Sequence, residues 1–178
     1  MSPPTIRLAT LIDIPAIATI YQPQVIEGTA TFELAPPDQA EMRRRFETIT
    51  ASGFPYLAAE TDGRLAGYAY AQAFRARPAY RFTVEDSIYV AEGVQGRGIG
   101  KALLSALVDR CTDLGFRQMI AVIGDSERQA PSIALHRALG FKVVGALPAV
   151  GFKHGRWLDS VQMQRPLGAG DTQPPTGS

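Results

Sequence analysis

A run of alternate glycines constrains the fold more than any other feature of this sequence. Residues 95–101 read Gln-Gly-Arg-Gly-Ile-Gly-Lys, and they lie between a β-rich segment and an amphipathic helical segment. Glycine adopts backbone conformations that are closed to other residues and lets the chain pass close to a ligand. The free N–H groups and the positive end of the following helix then face the same point, as they do in phosphate sites. The pattern therefore predicts a strand–turn–helix unit that binds a phosphate group.

The spacing of these glycines excludes two common nucleotide motifs. The dinucleotide motif is G-x-G-x-x-G, whereas this turn reads G-x-G-x-G. A P-loop has the form G-x-x-x-x-G-K-[ST], and here Gln95 stands at its first glycine and Ala102 at its hydroxyl residue. The residues alone leave two interpretations open, a site for another kind of phosphate and a tight turn without a ligand.

The remaining sequence predicts one α/β domain over residues 5–167. Apolar spacing predicts helices over about 14–27, 38–52, 98–114 and 131–139, and strands over about 6–8, 55–60, 65–74, 81–90, 118–123, 141–145 and 157–163. This order of strand, two helices, three strands, helix, strand, helix and two strands indicates a mixed sheet rather than repeated βαβ units. Residues 1–4 and 168–178 are expected to be flexible tails.

Composition and charge exclude several classes of function. The 178 residues are 46% hydrophobic and 20% charged, which is ordinary for a soluble domain, and the formal net charge is only +1. That charge gives no electrostatic basis for binding nucleic acid or an anionic membrane. No apolar run reaches about 18 residues and no signal pattern precedes the domain, so we expect a cytoplasmic protein. The two histidines lack metal-ligand spacing, which predicts no metal site.

The predicted strand over residues 81–90 contains the strongest candidate for acid–base chemistry. Its alternation divides the residues between two faces, with Val84, Asp86, Ile88 and Val90 on one and Thr83, Glu85, Ser87 and Tyr89 on the other. Burial on a strand face raises the proton affinity of a carboxylate, so Glu85 is a candidate general base. A structural glutamate paired with an arginine such as Arg81 is the alternative, and the residues alone do not decide between them.

Five segments of the chain resemble one family of enzymes. Residues 95–100 resemble the Q/R-x-x-G-x-G/A loop of the GCN5-related N-acetyltransferase (GNAT) superfamily. Four others resemble its phosphinothricin and methionine sulfoximine acetyltransferase branch: Thr-Val-Glu-Asp-Ser-Ile-Tyr-Val at 83–90, Ala-Val-Ile-Gly at 121–124, Ser-Ile-Ala-Leu-His-Arg-Ala-Leu-Gly-Phe at 132–141, and Gly-Phe-Lys-His-Gly-Arg-Trp-Leu-Asp at 151–159. The resemblance implies a GNAT fold with a mixed, mostly antiparallel sheet, splayed between its fourth and fifth strands and flanked by about four helices.

The same resemblance implies acetyl-CoA as the acetyl donor, with no metal. It assigns the pantetheine arm to backbone groups of Ile88, Tyr89 and Val90. It assigns binding of the pyrophosphate to the turn formed by Gln95, Gly96, Arg97, Gly98, Ile99, Gly100 and Lys101. Gln129 and Ser132 are assigned to the cofactor as well, although this family often has asparagine where Gln129 stands.

The resemblance also implies the catalytic and acceptor-binding residues. It makes Glu85 the general base, and it places His136 where many superfamily members have the tyrosine that protonates the departing thiolate. Tyr89 competes for this role, and a binding role for His136 is the alternative. On the acceptor side it implicates Phe32, Arg81, Thr83 and Lys153. The guanidinium of Arg81 could pair with a carboxylate or phosphinate, and a solvated surface arginine is the alternative.

The sequence thus predicts direct acetyl transfer from acetyl-CoA to the amino group of a small amino-acid-like molecule. Cys111 belongs to an apolar helical pattern, which argues against a covalent thiol intermediate. Two alternatives stay open, a non-catalytic acyl-CoA-binding module and acetylation of protein N-termini or lysines. The resemblance further implies a homodimer contact through the last hairpin, and ordinary packing of that hairpin within one chain is the alternative.

Overall fold

The computed structural model describes residues 3–175, and its elements follow the predicted order. The helices are α1 (Ile14–Ile26), α2 (Gln39–Ala51), α3 (Ile99–Asp113) and α4 (Ala130–Ala138). The strands are β1 (Thr5–Leu8), β2 (Tyr56–Thr61), β3 (Arg64–Ala73), β4 (Thr83–Val90), β5 (Gln118–Gly124), β6 (Lys142–Lys153) and β7 (Arg156–Pro166). The prediction of a single α/β domain is confirmed.

All seven strands form one sheet in the order β1-β2-β3-β4-β5-β7-β6. Only β4 and β5 are parallel, and every other pairing is antiparallel. The parallel pair begins at Thr83↔Gln118 and ends at Asp86↔Ala121, so the last residues of β4 and β5 have no partner on their facing edges. The predicted splay between the fourth and fifth strands is confirmed.

Each face of the sheet carries its own apolar core. The amphipathic α3 buries Leu103, Leu104, Leu107 and Cys111 completely against one face. The helices α1 and α2 cover the other face, where Ile17 and Tyr68 are buried. Because alternate residues of β4 point to opposite faces, this strand contributes side chains to both cores.

The last two strands are longer than the sequence predicts. Strand β6 runs over twelve residues and β7 over eleven, where only short strands at 141–145 and 157–163 were expected. The register between them shifts at Val143/Gly145 and again at Leu147/Gly151. Strand β6 is the sheet edge and is exposed over most of its length, so it lacks the alternating burial from which a strand is predicted.

The predicted tails lie partly outside the described residues, namely at 1–2 and 176–178. Within the described part, Arg117 binds the C-terminal segment, because its Nε donates to the carbonyl oxygen of Gly170 at 2.8 Å and a terminal nitrogen donates to that of Gln173 at 2.6 Å. Leu167, just before this segment, is buried. Over residues 3–175 no helix combines the length and apolar character that a membrane span requires.

Candidate functional site

A cavity of about 560 Å³ fills the gap between β4 and β5. The glycine turn and the first residues of α3 line one end of it, and Asp86, Ser87 and His136 line the other. Twelve of the predicted site residues contribute to its wall: Ile88, Tyr89, Val90, Gln95, Gly96, Gly98, Ile99, Gly100, Lys101, Gln129, Ser132 and His136. The fold therefore brings into one cavity residues that are separated by nearly fifty positions in the sequence.

The glycine turn presents free backbone donors to this cavity. Gly96 and Gly98 have φ values of 74° and 79°, in the left-handed region that favours glycine. Gly98 is the N-cap of α3, and no side chain caps the helix. The first-turn N–H groups of α3 thus lack intrahelical partners, and the positive helix end stands behind them. A Cβ atom built on Gly98 would meet no protein atom within 4 Å, so the space above the turn is open.

The splayed strands supply a second set of backbone groups. Beyond Asp86↔Ala121, β4 remains paired only to β3 and β5 only to β7. Each strand therefore has one edge with N–H and C=O groups that no neighbouring strand binds. An extended chain with amide groups can pair with such an edge as an added strand does. Together with the turn, this geometry fits coenzyme A, whose pyrophosphate is joined to an arm with two amides.

Glu85 lies half-buried on β4, at the point where the sheet begins to open. It is directly opposite Gln72 of the neighbouring strand β3. Burial raises the pKa of the Glu85 carboxyl, and the charge of neighbouring Asp86 raises it further, against the opposing effect of Gln72. A carboxylate with raised proton affinity suits the removal of a proton from an ammonium group.

His136 is buried on α4, and both of its ring nitrogens have protein partners. Nδ1 lies 2.8 Å from the carbonyl oxygen of Ser132, and Nε2 lies 3.0 Å from Oδ2 of Asp86. Burial acts to lower the pKa of His136, but the hydrogen bond and charge of Asp86 outweigh it and the pKa is raised. The ring is thus held in one orientation at the open end of the sheet.

The turn between β6 and β7 contacts the loop that follows α1. Lys153 is buried there, and its Nζ donates to the carbonyl oxygens of Thr31 at 2.8 Å and Gln24 at 3.3 Å. Burial lowers the pKa of this ammonium group. The ring of Phe32 lies between Gly124 and Gly151, where a Cβ atom on either glycine would overlap it. Lys153 therefore holds the Phe32 loop, and its ammonium group has backbone partners.

Six predicted site residues do not line the main cavity: Glu85, Phe32 and Lys153, described above, and Arg81, Thr83 and Arg97. Arg81 is exposed, stacks on Phe82 at 4.5 Å, and has no acidic partner among the described residues. Thr83 begins β4 beside Gln118. Arg97 lines a separate surface depression of about 410 Å³ at the turn between β2 and β3. Of the predicted phosphate turn, Gln95, the three glycines, Ile99 and Lys101 therefore line the cavity, and Arg97 does not.

Asp86 is the site residue that the sequence did not identify. The alternation of β4 correctly directs it away from Glu85, but nothing in the sequence connects it with His136, fifty positions later. Ser87 was likewise assigned no role, yet it lines the cavity and lies opposite Tyr70 of β3. In the described part of the chain, no cluster of three or more His, Cys, Asp or Glu residues could hold a metal ion.

The arrangement places Glu85 just before the point where β4 and β5 separate, and the glycine turn lines the cavity between these strands. An acyl thioester whose phosphates bind the turn would extend along the free strand edges toward Glu85. A nucleophile that approaches on the Glu85 face would lose its proton there. The site is therefore equipped for transfer of an acyl group to a protonated nucleophile.

Comparison with known proteins places this geometry in a known group. The family model described as "Acetyltransferase (GNAT) domain" matches residues 6–162. A phosphinothricin N-acetyltransferase of Alcaligenes faecalis is 53% identical over 96% of this chain and 86% of its own. An L-methionine sulfoximine/L-methionine sulfone acetyltransferase of Pseudomonas aeruginosa is 40% identical over 90% of this chain and 92% of its own. The crystal structure of a Sinorhizobium meliloti phosphinothricin acetyltransferase in complex with AcCoA superposes on this chain with a TM-score of 0.96. The two sequences are 57% identical, and the match covers 99% of this chain and 95% of the other.

Proposed function

This chain belongs to the GNAT acetyltransferase family, and on that premise we propose that it acetylates the α-amino group of a small amino acid of the phosphinothricin or methionine sulfoximine type. It is an acetyl-CoA-dependent N-acetyltransferase. The observation that carries the proposal is the half-buried Glu85, with its raised pKa, at the point where β4 and β5 separate.

Each part of the chain has a separate task in this reaction. The bound acetyl-CoA supplies the activated acetyl thioester. The N–H groups at the start of α3 bind the pyrophosphate, and the free edge of β4 at Ile88 and Val90 binds the arm. Glu85 accepts the proton of the substrate ammonium, directly or through water, which frees the lone pair for attack.

The state of Glu85 also argues against a non-catalytic acyl-CoA-binding module. Its pKa is raised because burial destabilises the charged carboxylate. At neutral pH this residue therefore opposes folding, and a module that only binds a cofactor would gain nothing from it. A catalytic role accounts for such a carboxylate beside the cofactor cavity.

Arg81 is the proposed anchor for the acidic group of the substrate. Its guanidinium has no carboxylate partner among residues 3–175, so it is free to bind a carboxylate or phosphinate through two parallel hydrogen bonds. An anion held near the start of β4 would bring the substrate amine toward Glu85 on the same strand face. Phe32 and Thr83 are proposed to line the acceptor side, with Lys153 fixing the Phe32 loop.

We expect Arg81→Lys to raise the KM for methionine sulfoximine by roughly tenfold while kcat changes little, because a point charge cannot reproduce the guanidinium fork. Steady-state kinetics at saturating acetyl-CoA measure both constants. Arg43→Lys, at an exposed position on α2, is the matched control and should leave both unchanged. An unaltered KM in Arg81→Lys would remove Arg81 from the site without affecting the acetyltransferase assignment.

We further propose that two copies of the chain pair through β6. Five apolar residues of this edge strand are exposed to solvent, each over 45% to 57% of its surface: Val143, Val144, Leu147, Val150 and Phe152. An edge strand that is long, apolar and unpaired favours association, and a second copy would cover it without requiring another partner. With its single buried cysteine and its dependence on acetyl-CoA, the enzyme is proposed to act in the cytoplasm.

Val150→Lys should convert this dimer to a monomer, because two lysines would be placed in an apolar interface that cannot solvate them. Light scattering coupled to size-exclusion chromatography gives the mass of the particle. Ile12→Lys is the control, since Ile12 is 89% exposed and follows β1, the strand at the opposite edge of the sheet from β6. A monomeric wild-type protein at micromolar concentration would contradict the dimer proposal.

A further inference from the structure

A second cavity, of about 340 Å³, lies on the face of the sheet that α1 and α2 cover. Aromatic side chains of β2 and β3 form one wall of it, namely Tyr56, Tyr68 and Tyr70, and residues of α2 form the other. This tyrosine cavity shares no lining residue with the main cavity. The reaction described above gives it no role.

The tyrosine cavity adjoins the candidate base. Gln72 lines it and lies directly opposite Glu85 in the register of β3 and β4, so the two side chains leave the same face of the sheet. Side chains opposed in this way have Cβ atoms about 4.5–5.5 Å apart. Burial is the main reason that the pKa of Tyr70 is raised, and the charge of Glu85 contributes to it. A molecule whose amine reaches Glu85 therefore has this cavity beside it, over β3.

The charged residues that line the tyrosine cavity are already paired. Arg45 binds Glu33 at 2.6 Å and Glu41 at 2.8 Å, and Arg44 binds Glu41 at 2.7 Å. The hydroxyl of Tyr21 donates to Glu33 at 2.9 Å. Recognition of a molecule in this cavity therefore depends on neutral groups.

The hydroxyl groups of Tyr56 and Tyr68 have no hydrogen-bond partner among residues 3–175. These residues are only 4% and 1% exposed. In the same part of the chain, the fully enclosed side-chain polar atoms without a partner are Thr29 Oγ1 and Asp86 Oδ1, so the two hydroxyl oxygens are not enclosed and open onto the cavity. A buried tyrosine hydroxyl usually has a partner. Here the partner must come from what occupies the cavity.

The state and arrangement of these hydroxyls indicate what they bind. Burial raises the pKa of both, so they stay protonated and can donate. The two rings are nearly parallel, at 12°, with centroids 5.9 Å apart. A group with two oxygens on one central atom offers an acceptor to each hydroxyl, whereas a hydrocarbon or thioether chain satisfies neither of them.

We propose that the tyrosine cavity binds the side group of the acceptor amino acid, with the hydroxyls of Tyr56 and Tyr68 donating to the oxygens of a tetrahedral group such as a sulfone or phosphinate. This inference rests on the proposed function. The acceptor then lies across β4 and β3, with its amine at Glu85 and its carboxylate left for Arg81. The two tyrosines thereby select an oxidised side group over the thioether of methionine.

The first test compares L-methionine sulfone with L-methionine by titration calorimetry on the wild-type enzyme. Coenzyme A is bound in place of acetyl-CoA, so that no acetyl group is transferred. The two ligands differ only in the two oxygens on sulfur. We expect the sulfone to bind about tenfold more tightly or better, because only the sulfone satisfies both hydroxyls. Equal affinity, or no binding of either ligand, would overturn the proposal.

The second test repeats this comparison on the double variant Tyr56→Phe/Tyr68→Phe, which keeps both rings and removes both hydroxyls. The preference for the sulfone should disappear, while the affinity for methionine stays within about twofold. The Tm should not fall, because neither hydroxyl binds a protein group. Tyr80→Phe is the matched control, since Tyr80 lines neither cavity, and it should keep the preference.

The two proposals fail in different ways. If the double variant keeps the preference for the sulfone, the hydroxyl contacts are refuted, whatever the turnover of the enzyme. If the double variant does not fold, the single variants decide the matter, because each should show an intermediate preference. If the wild-type enzyme prefers the sulfone but acetylates neither ligand from acetyl-CoA, the proposed function fails while the contacts in the tyrosine cavity stand.

Discussion

Glu85→Gln is expected to reduce the rate of acetyl transfer roughly 100-fold or more at neutral pH, the usual scale for loss of a general base. The amide keeps the shape of the side chain but cannot take a proton from the substrate ammonium. In the wild-type enzyme the rate should rise with pH through the raised pKa of Glu85, because only the deprotonated carboxylate is active. The deficit of the variant should shrink at high pH, where free amine is abundant.

The same substitution should stabilise the fold at neutral pH. A carboxyl whose pKa is raised by folding favours the folded state below its ordinary pKa of 4.5, and this contribution is lost as pH rises through the raised value. Glutamine avoids that loss, so the Tm of Glu85→Gln should exceed that of the wild type at pH 7 and not at pH 4. Glu92→Gln, at an exposed position after β4, is the control for both measurements. A wild-type rate with an unaltered pH profile would refute the catalytic role.

Gly98→Val should weaken acetyl-CoA binding by several kcal/mol, roughly two to three orders of magnitude in Kd. The side chain would enter the open space above the turn, where no protein atom lies within 4 Å of a Cβ. It would also disturb a backbone with φ of 79° that presents the first N–H groups of α3. Titration calorimetry with acetyl-CoA measures the loss.

Gly115→Val provides a matched control at the other end of α3. Its φ is 86°, and a Cβ there also meets nothing within 4 Å, so the cost of the unfavourable backbone conformation is comparable. Gly115 lies outside the cavity. We expect both variants to lower the Tm and only Gly98→Val to lower the affinity. Equal loss of affinity in the two variants would attribute the effect to general strain and contradict a pyrophosphate site at the turn.

The sequence predicted the parts of the fold that local patterns determine. Apolar spacing gave the helices to within a few residues, and alternation along β4 assigned Glu85 and Asp86 to opposite faces. The alternate glycines marked the turn before α3 because left-handed φ values leave few other choices. These features depend on the neighbours of each residue in sequence, which a pattern can report.

What the sequence did not predict depends on contacts between distant segments. The pairing of Asp86 with His136 joins β4 to α4. The ring of Phe32 fits its position only because two residues from different strands, Gly124 and Gly151, are glycines. The carbonyl partners of Lys153 lie on α1 and on the loop after it, so no spacing rule identifies them. The full length of β6 escaped prediction because an exposed edge strand with two register shifts has no periodic burial.

The most direct test of the proposed function is the release of free thiol from acetyl-CoA by the wild-type enzyme with a panel of amines. The panel sets methionine sulfoximine and phosphinothricin against neutral arylalkylamines, polyamines and peptide N-termini, and mass spectrometry identifies the acetylated product. We predict that kcat/KM is highest for the two amino-acid analogues, with one acetylated α-amino group for each thiol released. Markedly faster turnover of the other amines, or thiol release without an acetylated product, would contradict the account.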